Sequence, residues 1–194
     1  MIHVATVDLP GGLPPYTVHQ YLYGYFPQHP RDGARPFLFR QLGSRVLLVS
    51  RIPPACPHSV VSLDAGRSYP VEGLLVPIHR RRLPDHPERV IEVPMTTNSE
   101  RREWFVSVCG RFGAHVGFCQ WYNRDRTQIH HGSNGCLITY QPAQVKAMLL
   151  VTEPERFTEM LLRGLGRGKA FGYGLLYISG VMDRVATQNH RSSV

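Results

Sequence analysis

Apolar and polar positions alternate along the chain in short blocks, and the period of each block predicts its element. Val4 to Leu9 reads as a first strand, after which the Pro10-Gly11-Gly12 run and Pro14-Pro15 break the chain. From about Thr17 to Phe26, Val18, Leu22, Tyr25 and Phe26 recur at the i, i+4, i+7, i+8 spacing of one helix face, with Thr17 as cap and Pro27 as stop. Phe37 to Leu42 and Arg45 to Ser50 are strand-like runs joined by Gly43-Ser44, the glycine-first pair that favours a type II′ hairpin. A loop with Pro53, Pro54 and Pro57 leads into a weakly helical region, Ser59 to Arg67, and strand character resumes from Val71 to Arg82. Strand, helix, strand, strand, weak helix, strand is the order of a ferredoxin-like split unit.

The polar, proline-bearing run PDHPER from Pro84 to Arg89 reads as a linker, which divides the chain into domains over residues 1–86 and 90–194. A second α+β unit follows. A capped helix starts at Asn98-Ser99-Glu100 and runs through Trp104, Phe105 and Val108 to about Phe112; Val116 to Tyr122 is strand-like, and Asn123 to Gly135 is a polar, basic turn. Cys136 to Tyr140 and Val145 to Thr152 read as strands and Pro154 to Arg163 as a helix, with Glu155 and Glu159 outward and Phe157, Met160 and Leu161 inward. A glycine-rich loop, a strand from Leu175 to Ser179 and a tail from Val181 to Val194 complete the pattern.

Composition narrows the function. The 194 residues fit one large domain or two small ones, and 42% apolar content excludes a disordered chain. Lys+Arg 22 against Asp+Glu 14 leaves +8, and all the cations but Lys146 and Lys169 are arginines, whose planar fork suits phosphate. A polyanionic partner is expected. No apolar run approaches the ~18 residues of a membrane span, and MIHVATVDLP lacks the basic start of a signal peptide, so a cytoplasmic protein is expected. Cys56, Cys109, Cys119 and Cys136 form no C-x-x-C pair and read as reduced thiols. Cys119, His130, His131 and Cys136 come nearest to a metal grouping, but their spacing matches no usual zinc pattern; they read instead as buried cysteines beside loop histidines, and no metal is expected.

The most specific local signal is RGLGRGKAFGYGLL, with Gly164, Gly166, Gly168, Gly172 and Gly174. Such density requires positive φ or close approach of a ligand. A nucleotide P-loop fails: Arg163 stands where the first glycine belongs, Ala170 replaces the hydroxyl after Lys169, and the loop runs from helix into strand, the reverse of the Walker order. No nucleotide cofactor is expected. Amides flanked by Arg163, Arg167 and Lys169 suit a nucleic-acid backbone.

The segments PYTVHQYLYGYFP, RPFLFRQLGSRVLLVS and GLGRGKAFGYGLL, in that order, resemble the CRISPR repeat-processing endoribonucleases of the CasE type. The resemblance implies two tandem ferredoxin-like (RRM-like) domains. It also implies a nuclease that binds the stem-loop of a CRISPR repeat and cuts precursor CRISPR RNA once, at the 3′ base of the stem. The product would be retained, with the protein a subunit of a type I-E or type IV effector complex. Cleavage in that family needs no metal: an RNA 2′-hydroxyl attacks and leaves a 2′,3′-cyclic phosphate. The family's first-helix histidine falls on His19 and its tyrosine partner on Tyr16. On a helix 16, 19 and 23 share a side, so Tyr16, His19 and Tyr23 can gather there, although an aromatic cluster by itself reads as core packing. Imidazole suits general acid–base work near neutrality and a phenol can donate to a phosphate oxygen. Arg124 and Arg126 are the preferred grip on the stem, ahead of Arg80-Arg81-Arg82 and of Arg101 and Arg102, because A-form RNA is read by shape and phosphates. A non-cleaving CRISPR-RNA-binding subunit of the same fold is the alternative.

Overall fold

A computed structural model describes residues 1–11, 13, 15–29, 35–131 and 136–180, with side chains at 15, 16, 130, 131 and 136 left aside. The chain forms two α+β units in tandem. The first runs β1 (Ile2–Asp8), α1 (Pro15–Leu22), a 3-10 turn Tyr23–Tyr25, β2 (Phe37–Leu42), β3 (Arg45–Ser50) and β4 (Ser59–Val61). Its antiparallel sheet has the order β2-β3-β1-β4, the ferredoxin-like arrangement. The hairpin β2–β3 closes at Gly43, whose φ of 66° is the one positive value a type II′ turn asks for. The weak helix over Ser59 to Arg67 is absent: residues 51–58 are bends and coil, and 59–61 pair with β1. The β-branched pair Val60-Val61 favours the extended edge over a helix there.

The second unit runs β5 (Arg67–Leu75), β6 (Ile78–Leu83), β7 (His86–Pro94), α2 (Asn98–Arg111), β8 (Ala114–Asn123), β9 (Thr127–His131), β10 (Cys136–Tyr140), β11 (Ala143–Val151), α3 (Pro154–Arg163), a 3-10 turn Lys169–Phe171 and β12 (Leu176–Ile178). The sheet order β12-β5-β11-β8 repeats the ferredoxin-like pattern, with the two hairpins β6–β7 and β9–β10 inserted. Two expectations are corrected here. The run Val71 to Arg82 is two strands: β5 lies between β11 and β12 of the second sheet, and the chain breaks at Val76-Pro77 before β6. The run Pro84 to Arg89 is a tight turn and the start of β7, with Leu83 opposite His86. Proline and aspartate mark a hairpin turn as readily as a linker, so the boundary expected between residues 86 and 90 falls inside a hairpin, while the sheets divide between β4 and β5. The tail from residue 181 lies outside the described residues.

Packing explains the arrangement. One face of the first sheet (Ala5, Val7, Phe37, Phe39, Val46, Leu48) is covered by Val18, Leu22 and Phe26. The other (Ile2, Val4, Leu38, Leu47, Val49) joins the second unit's core around Phe105, Phe157, Met160 and Leu161. Arg51 of the first unit and Glu159 of α3 form an ion pair at 2.5 Å across the junction. Helix α2 starts in a capping box: Thr97 Oγ1 accepts from the Glu100 amide at 3.2 Å, and the Glu100 carboxylate accepts from the Thr97 amide at 3.1 Å. No helix among the described residues is long and apolar enough to cross a membrane.

Candidate active site and nucleic-acid interface

Helix α1 sets the position of His19. Val18 and Leu22 are one turn apart and buried, which turns the neighbouring His19, half-buried, to the flank of the helix. Tyr16 lies one turn earlier on the same backbone, and its side chain is outside the described atoms. The α-helix ends at Leu22, so Tyr23 opens the 3-10 turn and packs edge-on against Phe37, ring centres 5.2 Å apart. Tyr23 is thus part of the first core's aromatic cluster, stacked through Phe37 onto Phe26. Helix α1 meets the Lys169–Phe171 turn and β9, which brings the first helix to the glycine-rich loop near the other end of the described chain.

All five loop glycines have positive φ, between 69° and 86°. Their immediate reason is packing within the protein. A Cβ at Gly166 would stand 2.5 Å from the Val76 carbonyl oxygen, one at Gly164 would stand 2.7 Å from Leu38, and one at Gly174 would stand 2.8 Å from the Leu165 carbonyl oxygen. The loop amides are largely committed as well: Leu165 donates to Gly174 at 2.8 Å, Arg167 to Val76 at 3.1 Å, and Gly174 to Leu74 at 2.9 Å. Among the described residues, the amides of Gly166, Gly168, Lys169 and Ala170 take no part in that internal set of loop bonds. Close approach, read from the sequence as approach of a ligand, is here approach of the chain to itself.

The cations divide into committed and uncommitted groups. Arg167 pairs with Glu92 of β7, which also holds Arg80 at 3.3 Å. Arg124 donates to Gln144, and Arg126 Nε donates to Gln141 at 2.9 Å, so both exposed arginines lean over the start of β11 and the β10–β11 connection. Arg101 is not a surface group at all. It is 1% exposed and donates to the Met95 carbonyl at 3.1 Å and to Asn123 Oδ1 at 2.6 Å, tying α2 to β8. On the hairpin β6–β7, Arg80, Arg81 and Arg82 stand opposite Glu92, Ile91 and Val90 in an exposed ribbon. Arg163 and Lys169 remain at the junction of the units. A residue that sequence reasoning passed over joins them there: Arg35 Nη1 donates to the Lys169 carbonyl at 3.0 Å, and its guanidinium lies 5.9 Å from the centre of the Phe37 ring. Its only sequence signal is a cation placed at the entry of β2, just ahead of Pro36.

Among the described residues no cluster of three metal-ligating side chains occurs. Of the grouping Cys119, His130, His131 and Cys136, only the Cys119 side chain is described; it is half-buried, and burial pushes its thiol up. Cys56, Cys109 and Cys119 are free thiols, with Cys109 pushed up to about 12 by burial on the inner face of α2.

The family model described as "CRISPR associated protein" matches residues 62–179. No curated protein matches the sequence. Among solved structures, CRISPR endoribonuclease Cse3 bound to a 19 nt RNA superposes with a TM-score of 0.74 at 21% identity, covering 92% of this chain and 100% of that one. The CRISPR-associated protein Cas6e from Escherichia coli K-12 gives 0.69 at 20% identity, covering 92% and 98%. A chain of a CRISPR RNA-guided surveillance complex in its pre-nicking state gives 0.66 at 14% identity, covering 92% and 99%. Two sheets in the ferredoxin-like order, the first helix against a glycine-rich loop, and a family match over most of the second unit lead to one conclusion: the chain belongs to the CRISPR-associated protein family, with the fold of its CasE-type members Cse3 and Cas6e.

Proposed function

We propose that this chain is a CRISPR repeat-processing endoribonuclease of the CasE type, which binds the repeat stem-loop, cleaves precursor CRISPR RNA at the 3′ base of the stem and keeps the product. One observation carries the reading: α1 packs against the Lys169–Phe171 turn, so the helix that bears His19 and a phosphate-binding candidate from a distant part of the sequence are neighbours in the fold. The fold is shared with a protein named an endoribonuclease and solved with RNA, and with a chain of an RNA-guided surveillance complex. That supports membership of a type I-E or type IV effector complex.

In the proposed reaction the nucleophile belongs to the substrate. The ribose 2′-oxygen upstream of the scissile bond attacks the adjacent phosphorus, the P–O5′ bond breaks, and the products are a 2′,3′-cyclic phosphate and a 5′-hydroxyl. His19 moves a proton on or off one of these oxygens, and the Tyr16 phenol donates to a non-bridging oxygen as charge builds. Because attacking and leaving oxygens need only proton transfer, no metal-generated hydroxide is required. Gly166, Gly168, Arg163 and Lys169 form the backbone-binding edge, while Gly164, buried and with its amide bonded to the Met160 carbonyl, shapes the loop from within. Arg167 acts there through its pair with Glu92, Tyr23 supports the helix flank, and Arg124 and Arg126 contact the stem.

The test is single-turnover cleavage of a synthetic repeat hairpin at saturating protein. His19→Ala should slow cutting by about 10²–10⁴-fold with affinity kept. Chelator should change nothing, and a 2′-deoxyribose upstream of the scissile phosphate should abolish cutting without loss of binding. Wild-type rates in the His19 variant, or cutting of the deoxy substrate, would overturn the mechanism. Tight binding with no cleavage by the wild type would establish the non-cleaving subunit instead.

A further inference from the structure

Between the two units lies a cleft of about 500 Å³ lined by His29, Arg35, Phe37, Arg51, Arg163 and Lys169. Arg51 is neutralised from outside by Glu159. Among the described residues Arg35, Arg163 and Lys169 have no carboxylate partner, yet they are drawn together. Lys169 Nζ donates to the Arg163 carbonyl at 2.8 Å while the Lys169 carbonyl accepts from Arg35, so each contact fixes a position without cancelling a charge.

Solvated cations on a plain surface would spread into water. Here Arg35 and Lys169 are half-buried, and Arg35 Nε is enclosed without a hydrogen-bond acceptor. Burial, then the charges of Arg35 and Arg163, hold Lys169 below the usual lysine range, and burial lowers Arg35. Gathering like charges in a half-dry cleft is unfavourable in the absence of an anion, and the arrangement becomes favourable when one enters.

We infer that this cleft is a phosphate subsite, in which Arg35, Arg163 and Lys169 together hold one phosphodiester of the bound RNA strand at the junction of the units. The inference rests on the RNA reading above and adds to it a location and a residue, Arg35, from the first unit. Inorganic phosphate or a free nucleotide offers the same anion. RNA is favoured because the cations come from both units and the cleft is larger than a phosphate group, leaving room for the flanking riboses. Fixing a phosphate there would also clamp the two units against each other across β2 and the glycine-rich loop.

The experiment measures hairpin affinity against salt for wild type, Arg35→Ala, Arg35→Lys and Arg163→Ala, with thermal melts to confirm folding. Arg35→Ala and Arg163→Ala should each weaken binding roughly tenfold at low salt and reduce the log–log salt slope by about one, whereas Arg35→Lys should keep the slope. A neutral methylphosphonate walked along the strand should find one linkage that costs the wild type the same roughly tenfold and costs Arg35→Ala nothing further. If wild type binds and the two alanine variants match it in affinity and slope, the subsite is wrong while the RNA reading stands. Calorimetric binding of inorganic phosphate that Arg35→Ala abolishes, with no such linkage in the RNA, would overturn the strand assignment in favour of a free anion. A wild type that binds no hairpin would remove the RNA reading and the subsite together.

Discussion

The two sheets share one strand order but not one environment. The first is buried on both faces, by α1 on one side and by the second unit on the other. Among the described residues the second is covered by α2 and α3 on one face; on the other, Phe118 is 56% exposed, Tyr122 40%, and Met148 and Leu150 39% each. Sequence period follows environment. In β3 the run Val46 to Val49 is apolar without alternation and wholly buried, whereas in β11 every second residue from Ala143 to Val151 is buried and the residues between are not. Apolar character at Met148 and Leu150 therefore reports an open face, not a core.

The contrast can be broken by substitution. The largest effect on stability should come from Phe39→Ala in the first sheet, at about 3–5 kcal/mol, against at most about 0.5 kcal/mol for Phe118→Ala, both read from urea midpoints at constant m. Equal losses would mean that the open face is covered in solution. Next is Leu38→Ala, which removes the side chain meeting Gly164 and should cost about 2–5 kcal/mol with a single cooperative transition. Two transitions would show that the units fold independently and that their shared core contributes little. Gly166→Ala should cost about 2–3 kcal/mol, since it sets a Cβ against the Val76 carbonyl at positive φ. Because the loop is packed on the protein, that loss should appear in melting temperature before it appears in RNA affinity.

The smallest effect sharpens the comparison of α1, which depends on the sheet beneath it, with α2, which carries its own cap. Hydrogen bonds from Thr97 hold the Glu100 carboxyl below its ordinary range. With the folded value lowered, the stabilisation is full above the unfolded value and fades as pH falls through the folded one. The stability difference between wild type and Glu100→Gln should accordingly shrink on acidification; an equal difference at pH 3 and pH 7 would assign it to something other than the cap.

Much of this was legible where local chemistry decides. The glycine-first turn at Gly43, the capped start at Asn98-Ser99-Glu100, whose cap the structure places on Thr97, and the inward stripe Phe157, Met160 and Leu161 each dictate their element from a few neighbouring residues. What was not legible depends on pairing between distant segments. Nothing within Val71 to Leu75 says that these residues pair with β11 and not with β1, and Pro84-Asp85 carries the same composition in a turn as in a linker. At the candidate site, the glycine-rich loop stood out by residue type and His19 through the family resemblance. Arg35 did not, because its meaning comes from the Lys169 carbonyl, a contact made only in the folded chain. Arg101 was misread for the converse reason: its charge marked it as surface, and only tertiary structure shows the Met95 and Asn123 oxygens that let it be buried.

The shared cover of the first sheet has a consequence for the chain during synthesis. By the time β4 leaves the ribosome, all four strands of the first sheet exist, but Gly164 and the helix that closes over Leu38 are roughly a hundred residues away. At 5–20 residues per second, Ile2, Val4, Leu38 and Leu47 stay uncovered for about 5–20 s. During that interval the nascent chain presents a half-finished sheet with an apolar face, which makes it a natural client for a ribosome-bound holdase. It also makes premature termination anywhere before α3 a source of aggregating fragments.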